Sequence, residues 1–381
     1  MIYLDNSATT RPFEAVAETI KQAALMDFYN PSAPYGAAVA VEAKVEAARA
    51  QVARPIGCEP GRIVFTSGGT ESNNAVLLGM ALKRHPAKKH FVVGGIEHPS
   101  VLKTVQFLAN LGHEVTVVNP DPEGVITPAA VAEAVTENTV LVSVQHVNNE
   151  TGAIQDLAAI AAAVRAKSPA LIHADGVQAY LKVPLPLDAV DFYTVSAHKF
   201  HGPKGVGALY LRRDASVVPY LIGGGQEAGR RSGTLNVPGI LGMGRAAELY
   251  WTHQKEYVNH MMELKLLFLK EIQNQLDEVY INGPAPERAA PHILNLAFPG
   301  VRAEVLLHFL EERGIIIGTG SACSSKSTKV SAVLSAMKVA RVWAEGSVRV
   351  SLCPMLSEAD MKEAATKMAE GVKTLRRFRR K

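Results

Sequence analysis

Lys199 has the setting that most narrows the chemistry open to this chain. It closes Ser196-Ala197-His198-Lys199, directly after the apolar run Phe192 to Val195, and leads into Gly202-Pro203-Lys204-Gly205. An amine leaving a strand into a glycine-rich turn faces a site, and an unprotonated lysine amine forms Schiff bases with carbonyl compounds. Alone, Lys199 would read as a surface lysine; its company changes that. Thr66-Ser67-Gly68-Gly69-Thr70-Glu71-Ser72-Asn73 follows the run Ile63 to Thr66. Glycines at a strand-to-helix turn offer backbone amides and the positive helix end to an anion such as phosphate. Glu97-His98-Pro99-Ser100 places an imidazole after another strand-like run, where it could stack on a planar group and handle protons. Asn148-Asn149-Glu150-Thr151-Gly152 stands in the same relation to Val140 to Val144.

The stretch His173-Ala174-Asp175-Gly176-Val177-Gln178 suggests what the lysine would hold. A pyridoxal ring needs a carboxylate against its pyridinium nitrogen, so that the ring stays protonated and draws electrons from the substrate. Asp175 is the candidate, and Gln178 could donate to the phenolic oxygen. The competing reading of Asp175 is a helix cap after a strand. Two more pieces lie toward the C-terminus. Gly318-Thr319-Gly320-Ser321-Ala322-Cys323-Ser324-Ser325-Lys326 surrounds a cysteine with small polar residues instead of an apolar stripe. That suits a mobile, accessible thiol whose pKa Lys326 or backbone amides could lower. Cys58 and Cys353 sit in apolar company and read as structural. In Ser347-Val348-Arg349-Val350-Ser351, an inward Arg349 could fork onto a carboxylate.

The elements that position these residues follow from the pattern of apolar runs. Ile63–Thr66, Phe91–Val93, Val115–Val118, Val140–Val144, Leu171–His173, Phe192–Val195 and Ala208–Leu211 are short, often β-branched, and predict strands. Alanine-rich helical segments such as Asp156 to Lys167 separate them. Alternation of this kind predicts an α/β fold with a mostly parallel sheet, whose ligands sit at the carboxyl ends of strands. The pattern changes near Leu249: a charged helical stretch to about Asp277 reads as a connector into a smaller α+β lobe. Expected divisions are an N-terminal segment 1–15 packing with the small domain, a large domain 16–250, and a small domain 251–381 carrying the Cys323 loop. At 381 residues with a net charge of +4, two lobes are expected, and charge alone gives no reason to propose nucleic acid as a partner. No apolar run approaches the roughly 18 to 20 residues of a membrane span. No secretory signal opens the chain, and three cysteines at wide spacing fit neither a disulfide framework nor a zinc site. A reducing cytoplasm is the expected location.

Taken in order, these pieces resemble the cysteine desulfurase family within the class V aminotransferase group of pyridoxal-phosphate enzymes. Tyr3-Leu4-Asp5-Asn6-Ser7-Ala8-Thr9-Thr10, Asn30-Pro31-Ser32, Gly223-Gly224-Gly225-Gln226-Glu227 and Arg231-Ser232-Gly233-Thr234 also match its signatures. The resemblance implies fold type I with a seven-stranded large-domain sheet. It implies that Lys199 forms the internal Schiff base, Asp175 pairs with the pyridine nitrogen, Gln178 with the phenolic oxygen, and His98 stacks on the ring. Gly69, Thr70, Ser196 and His198 would hold the phosphate. Thr234 would reach it from a second subunit, which implies a homodimer with shared sites. Asn149 would serve cofactor and substrate, Asn30 would face the substrate, and Arg349 would take its carboxylate. Cys323 would carry sulfur as a persulfide and could transiently ligate an iron–sulfur cluster; no resident metal is implied. The implied reaction turns L-cysteine into L-alanine and passes sulfur to an acceptor protein, an iron–sulfur scaffold or a thiolation protein. A selenocysteine lyase or related class V lyase would share the cofactor residues, and a non-catalytic assembly subunit would share the fold. Departures from the pattern are Ala228, where an arginine or similar residue is usual, and Gly176, where alanine is common.

Overall fold

Parallel strands covered on both faces by helices must be apolar on both faces, which is why the central runs lack alternation. The computed structural model describes residues 1–84, 89–319 and 330–378. It opens with β1 (Ile2–Leu4), α1 (Glu14–Met26), α2 (Gly36–Ile56), β2 (Ile63–Thr66), α3 (Gly69–Ala81), β3 (His90–Gly94) and α4 (Pro99–Asn110). β4 (Glu114–Val118), α5 (Pro128–Ala134), β5 (Thr139–Gln145), α6 (Leu157–Arg165), β6 (Leu171–Asp175), β7 (Phe192–Ser196) and β8 (Gly207–Leu211) follow.

Seven strands form one sheet in the order β2-β8-β7-β6-β5-β3-β4. The pairs β7–β6, β6–β5, β5–β3 and β3–β4 are parallel; β8 runs antiparallel to both its neighbours. All seven strands read from the sequence are present, each extended by at most two residues at an end. Successive side chains divide between two apolar layers. Phe91 and Val93 pack with Val76, Leu77, Val101 and Val105 of α3 and α4. Val92 belongs to the larger core, with Val45, Ile160 and Ile240. The carboxyl ends of β2, β3, β5, β6 and β7 therefore open on one edge, where residues 67–70, 97–98, 148–149, 175 and 196–199 lie.

The connector differs from the single long helix expected. It is two helices, α7 (Val237–Thr252) and α8 (Gln254–Gln273), broken at His253. Asn236 caps α7 by accepting from Gly239 N, and Pro238 occupies its first turn. Beyond it come β9 (Tyr280–Ile281), β10 (Ile293–Ala297), α9 (Ala303–Glu311), β11 (Ile315–Ile317), α10 (Ala332–Ala336), α11 (Arg341–Ala344), β12 (Ser347–Ser351) and α12 (Glu358–Arg377). β12, β10 and β9 make a second sheet, and β1 pairs with β11 in parallel. The N-terminal segment thus joins C-terminal strands through residues 2–5, then runs back across the large sheet's edge. Among the described residues no helix is long and apolar enough to cross a membrane.

Candidate active site

Lys199 ends a 3-10 turn, Ala197–Lys199, that follows β7. The turn is held by Ala197 N donating to Val206 O, and Lys199 Nζ donates to the carbonyls of Ser7 at 2.6 Å and Ala8 at 2.8 Å. Behind it, Lys182 is buried and donates to the Lys199 carbonyl at 2.9 Å. Burial, reinforced by the Lys199 charge, lowers the Lys182 amine to about 7. The sequence reading passed over Lys182; a lysine inside the apolar stretch Tyr180–Val183 was the signal for it.

Asp175 ends β6 and is buried. Its Oδ1 accepts from Val177 N at 3.0 Å and its Oδ2 from Asn73 Nδ2 at 2.8 Å. The same Asn73 amide nitrogen donates to Ser100 Oγ at 2.9 Å, and Ser100 Oγ lies 2.8 Å from His98 Nδ1. His98 caps α4, and its Nδ1 also accepts from Ser100 N at 3.2 Å. With Nδ1 accepting, the imidazole carries its proton on Nε2. Burial lowers its pKa, with Asp175 opposing and Lys199 reinforcing the shift. Asn73 closes the glycine motif read from the sequence, but no role was assigned to it there; it connects the carboxylate to the imidazole.

Gln178 donates to Ser7 O at 2.9 Å. Burial holds His292 well below the usual histidine range, so neutral His292 donates from Nε2 to Gln178 Oε1 at 3.2 Å. His198 Nδ1 lies 3.2 Å from Thr9 Oγ1, and burial lowers His198 to about 4. Residues 5–10 thus touch Lys199, Gln178, His198 and, through Asp5, Arg349.

A cavity of about 460 Å³ opens beside Lys199, lined by Ala8, Thr9, residues 67–71, Ser196, His198, Lys204 and Gly205. It sits at the N-terminus of the 13-residue α3. A Cβ at Gly69 would meet Val177 Cγ2 at 2.8 Å, so glycine is what lets the helix start approach the Asp175 loop. Helix amides, the Thr70 and Ser196 hydroxyls, His198 and Lys204 are the donor set for a phosphate. The buried Asp175 carboxylate and the Lys199 amine suit the ring and aldehyde of pyridoxal phosphate. On chemistry and shape the residues present fit that cofactor.

Arg349 is 4 % exposed. It donates from one terminal nitrogen to Asn149 O at 2.9 Å and from the other to Asp5 Oδ1 at 2.6 Å, while its buried Nε has no partner among the described residues. Asn149 Oδ1 accepts from Gln145 Nε2 at 3.2 Å. Asn30 and Thr234 are exposed. Asn30 Oδ1 accepts from Ser32 N at 3.1 Å, and among the described residues neither side chain hydrogen bonds to the groups above. Cys323 lies outside the described residues. The two described thiols are free and half-buried, and burial raises both, Cys58 to about 12. Neither has the character of a reactive thiolate.

The chain matches the model of the family Aminotransferase class-V over residues 2–363. It is 38 % identical over 362 residues to "Cysteine desulfurase IscS" of Dictyoglomus turgidum, covering 94 % of this chain and 91 % of that protein. Identity is 41 % over 385 residues to "Cysteine desulfurase IscS" of Pseudomonas fluorescens, covering 98 % and 93 %. Among solved structures, a "NIFS-like protein" superimposes with a TM-score of 0.90 at 36 % identity, covering 97 % of this chain and 98 % of that one. "SspA in complex with cysteine" superimposes with a TM-score of 0.82 at 33 % identity, covering 93 % and 99 %. The chain belongs to the class V aminotransferase family of pyridoxal-phosphate enzymes and, within it, to the cysteine desulfurases.

Proposed function

We propose that this protein converts L-cysteine to L-alanine and takes the sulfur onto Cys323 as a persulfide. The observation that carries the reading is the Lys199–Asp175–His98 arrangement beside an anion cradle, in a chain with cysteine desulfurase relatives. When bound, pyridoxal phosphate supplies the electron sink that makes the Cα proton of the substrate acidic and its Cβ–S bond labile. Asp175, buried and held by Val177 N and Asn73, would present its carboxylate to the ring nitrogen. Lys199 would anchor the cofactor through its amine and, when free, would move the substrate Cα proton. His98, neutral with its proton on Nε2, would pack against the cofactor and could exchange a proton there. Arg349 takes the substrate carboxylate. The Cys323 thiolate attacks the substrate sulfur, a new S–S bond forms as the C–S bond breaks, and the thiol proton balances the hydrogen gained by alanine. The persulfide is a reversible cap that an acceptor thiol can remove.

The working unit is a homodimer. Thr234 is exposed in a segment anchored by Glu227, whose carboxylate pairs with Arg49 at 2.7 and 2.8 Å and accepts from Phe65 N. Leu25, Met26, Phe28, Tyr35 and Val39 present an exposed apolar surface near Asn30, of the kind a second subunit covers. A sulfur-acceptor protein, an iron–sulfur scaffold or a thiolation protein, takes the persulfide sulfur in the cytoplasm. The deciding experiment is incubation of the protein with cysteine, quantitation of alanine, and peptide mapping of the added sulfur. Persulfide on Cys58 or Cys353, or full alanine production by Cys323→Ser, refutes the assignment.

A further inference from the structure

Arg349 does not wait for a carboxylate with its charge unbalanced. Asp5, three residues into the turn away from Ile2, reaches it at 2.6 Å, and the two side chains are only 5 % and 16 % exposed. The pair is built in from several directions. Backbone bonds join Gly318 and Arg349 both ways, at 3.0 and 2.7 Å, and the Asp5 backbone bridges to Ser351 on the same strand. Gly318 makes the room: a Cβ there would lie 2.5 Å from Asp5 Oδ1 and 2.9 Å from the arginine nitrogen that Asp5 holds. Asn149 O occupies the other terminal nitrogen. What remains is the buried Nε, which has no partner among the described residues.

A carboxylate that forks onto the side edge of a guanidinium uses Nε together with the adjacent terminal nitrogen. Here that terminal nitrogen is the one Asp5 holds. An incoming α-carboxylate must take it or share it, and in either case it meets a second negative charge at contact range. Like charges brought together in a half-buried site repel more strongly than they would in water. Glu150 also faces Arg349 electrostatically, but its carboxylate is tied to Ser331 Oγ; among the described residues Asp5 is the carboxylate in direct contact.

We propose that Asp5 is a specificity-determining residue that competes with the substrate α-carboxylate for the Arg349 guanidinium. The proposal rests on the reading of Arg349 as the carboxylate-binding residue. Asp5 keeps Arg349 folded inward and neutralised when no substrate is present. It also weakens the hold on any incoming carboxylate, so that a ligand stays bound only when its amine is anchored elsewhere.

The test is equilibrium titration of the holoenzyme with L-alanine and with L-alaninamide, which lacks the carboxylate charge, comparing the ratio of their affinities between variants. Asp5→Asn and Asp5→Ser remove the competing charge and should raise the preference for alanine about tenfold, the effect of one partly shielded charge at contact range. Asp5→Glu keeps the charge and should stay near the parent ratio. Arg349→Gln should abolish the preference. Retained preference in Arg349→Gln would mean that the carboxylate binds elsewhere, overturning the reading of Arg349 and this proposal together. Lost preference in Arg349→Gln, with an unchanged or lowered preference in both uncharged Asp5 variants, would leave Arg349 in its role and reduce Asp5 to a prop. Two uncharged variants of different size keep the comparison available if one fails to fold, and retained cofactor absorbance identifies the folded ones.

Discussion

Gly176→Ala tests how tightly the Asp175 loop is set against the sheet. A methyl built on Gly176 falls against Cζ, Cε1 and the hydroxyl of Tyr193, all closer than the 3.0 Å that real Cβ atoms keep. Tyr193 cannot swing aside: it is 1 % exposed, and its hydroxyl lies 3.0 Å from His146 Nδ1. Burial lowers His146 to about 4, so it is neutral and the contact is an ordinary hydrogen bond. Overpacking a close-packed core costs about 1 to 3 kcal/mol, and losing the Tyr193–His146 bond adds about 1 kcal/mol. Gly176→Ala should therefore destabilise the protein by roughly 2 to 4 kcal/mol. Tyr193→Leu removes the obstructing ring at a cost of its own, and adding Gly176→Ala to it should change stability by less than about 0.5 kcal/mol. Urea unfolding of the parent, both single variants and the double variant, followed by circular dichroism and by release of the cofactor, gives the cycle. The reasoning fails if Gly176→Ala unfolds at the parent's urea concentration, or if its cost is the same with leucine at position 193.

Other outcomes follow from the same geometry. Borohydride reduction should fix pyridoxal phosphate to Lys199, and Lys199→Ala should lose both the label and turnover; a label on another lysine contradicts the assignment. Asp175→Ala should still bind cofactor through the phosphate cradle but slow turnover by orders of magnitude, and near-parent turnover would exclude its role at the ring nitrogen. Cys323→Ser should bind cofactor and cysteine but form no persulfide, whereas Cys58→Ser and Cys353→Ser should keep the chemistry. Glu150 is raised to about 7 by burial, against the opposing Ser331 hydrogen bond and Arg349 charge, while an unfolded glutamate titrates near ~4.3. Between those values the folded state binds the proton more tightly, so Glu150 costs stability as pH rises from about 4.3 to about 7 and adds no further loss above that. Glu150→Gln should thus gain stability relative to the parent as pH rises through that window; a pH-independent difference in unfolding midpoint would refute it.

The sequence disclosed residues whose local setting is itself the signal. Each of Lys199, Asp175, His98 and Thr70 follows a short apolar run at a carboxyl strand end, and those runs were legible because a doubly covered parallel strand tolerates little but apolar side chains. The break at His253 was not legible, since the apolar α7 and the charged α8 are both helical by composition and no glycine or proline marks the junction. Partners were the other gap. Asn73 reaches Asp175 across 102 residues and Asp5 reaches Arg349 across 344, separations at which no pattern in a single chain links two side chains.

That gap has a chemical consequence. The residue types that perform the steps can be read locally, but their charge states are set by distant groups. Asn73, through Ser100, fixes which nitrogen of His98 holds the proton. Lys182 places a buried amine behind the main chain of Lys199. The segment 5–10 spans both conditions: its carbonyls hold the Lys199 amine, and its first carboxylate balances Arg349. One short stretch therefore touches both the Lys199 amine and the Arg349 guanidinium, the two groups proposed above to meet the cofactor and the substrate carboxylate. Asp5, which pairs with Arg349, stands two residues before the Ser7 carbonyl that accepts from both Lys199 and Gln178, so the two groups are tied to one backbone segment.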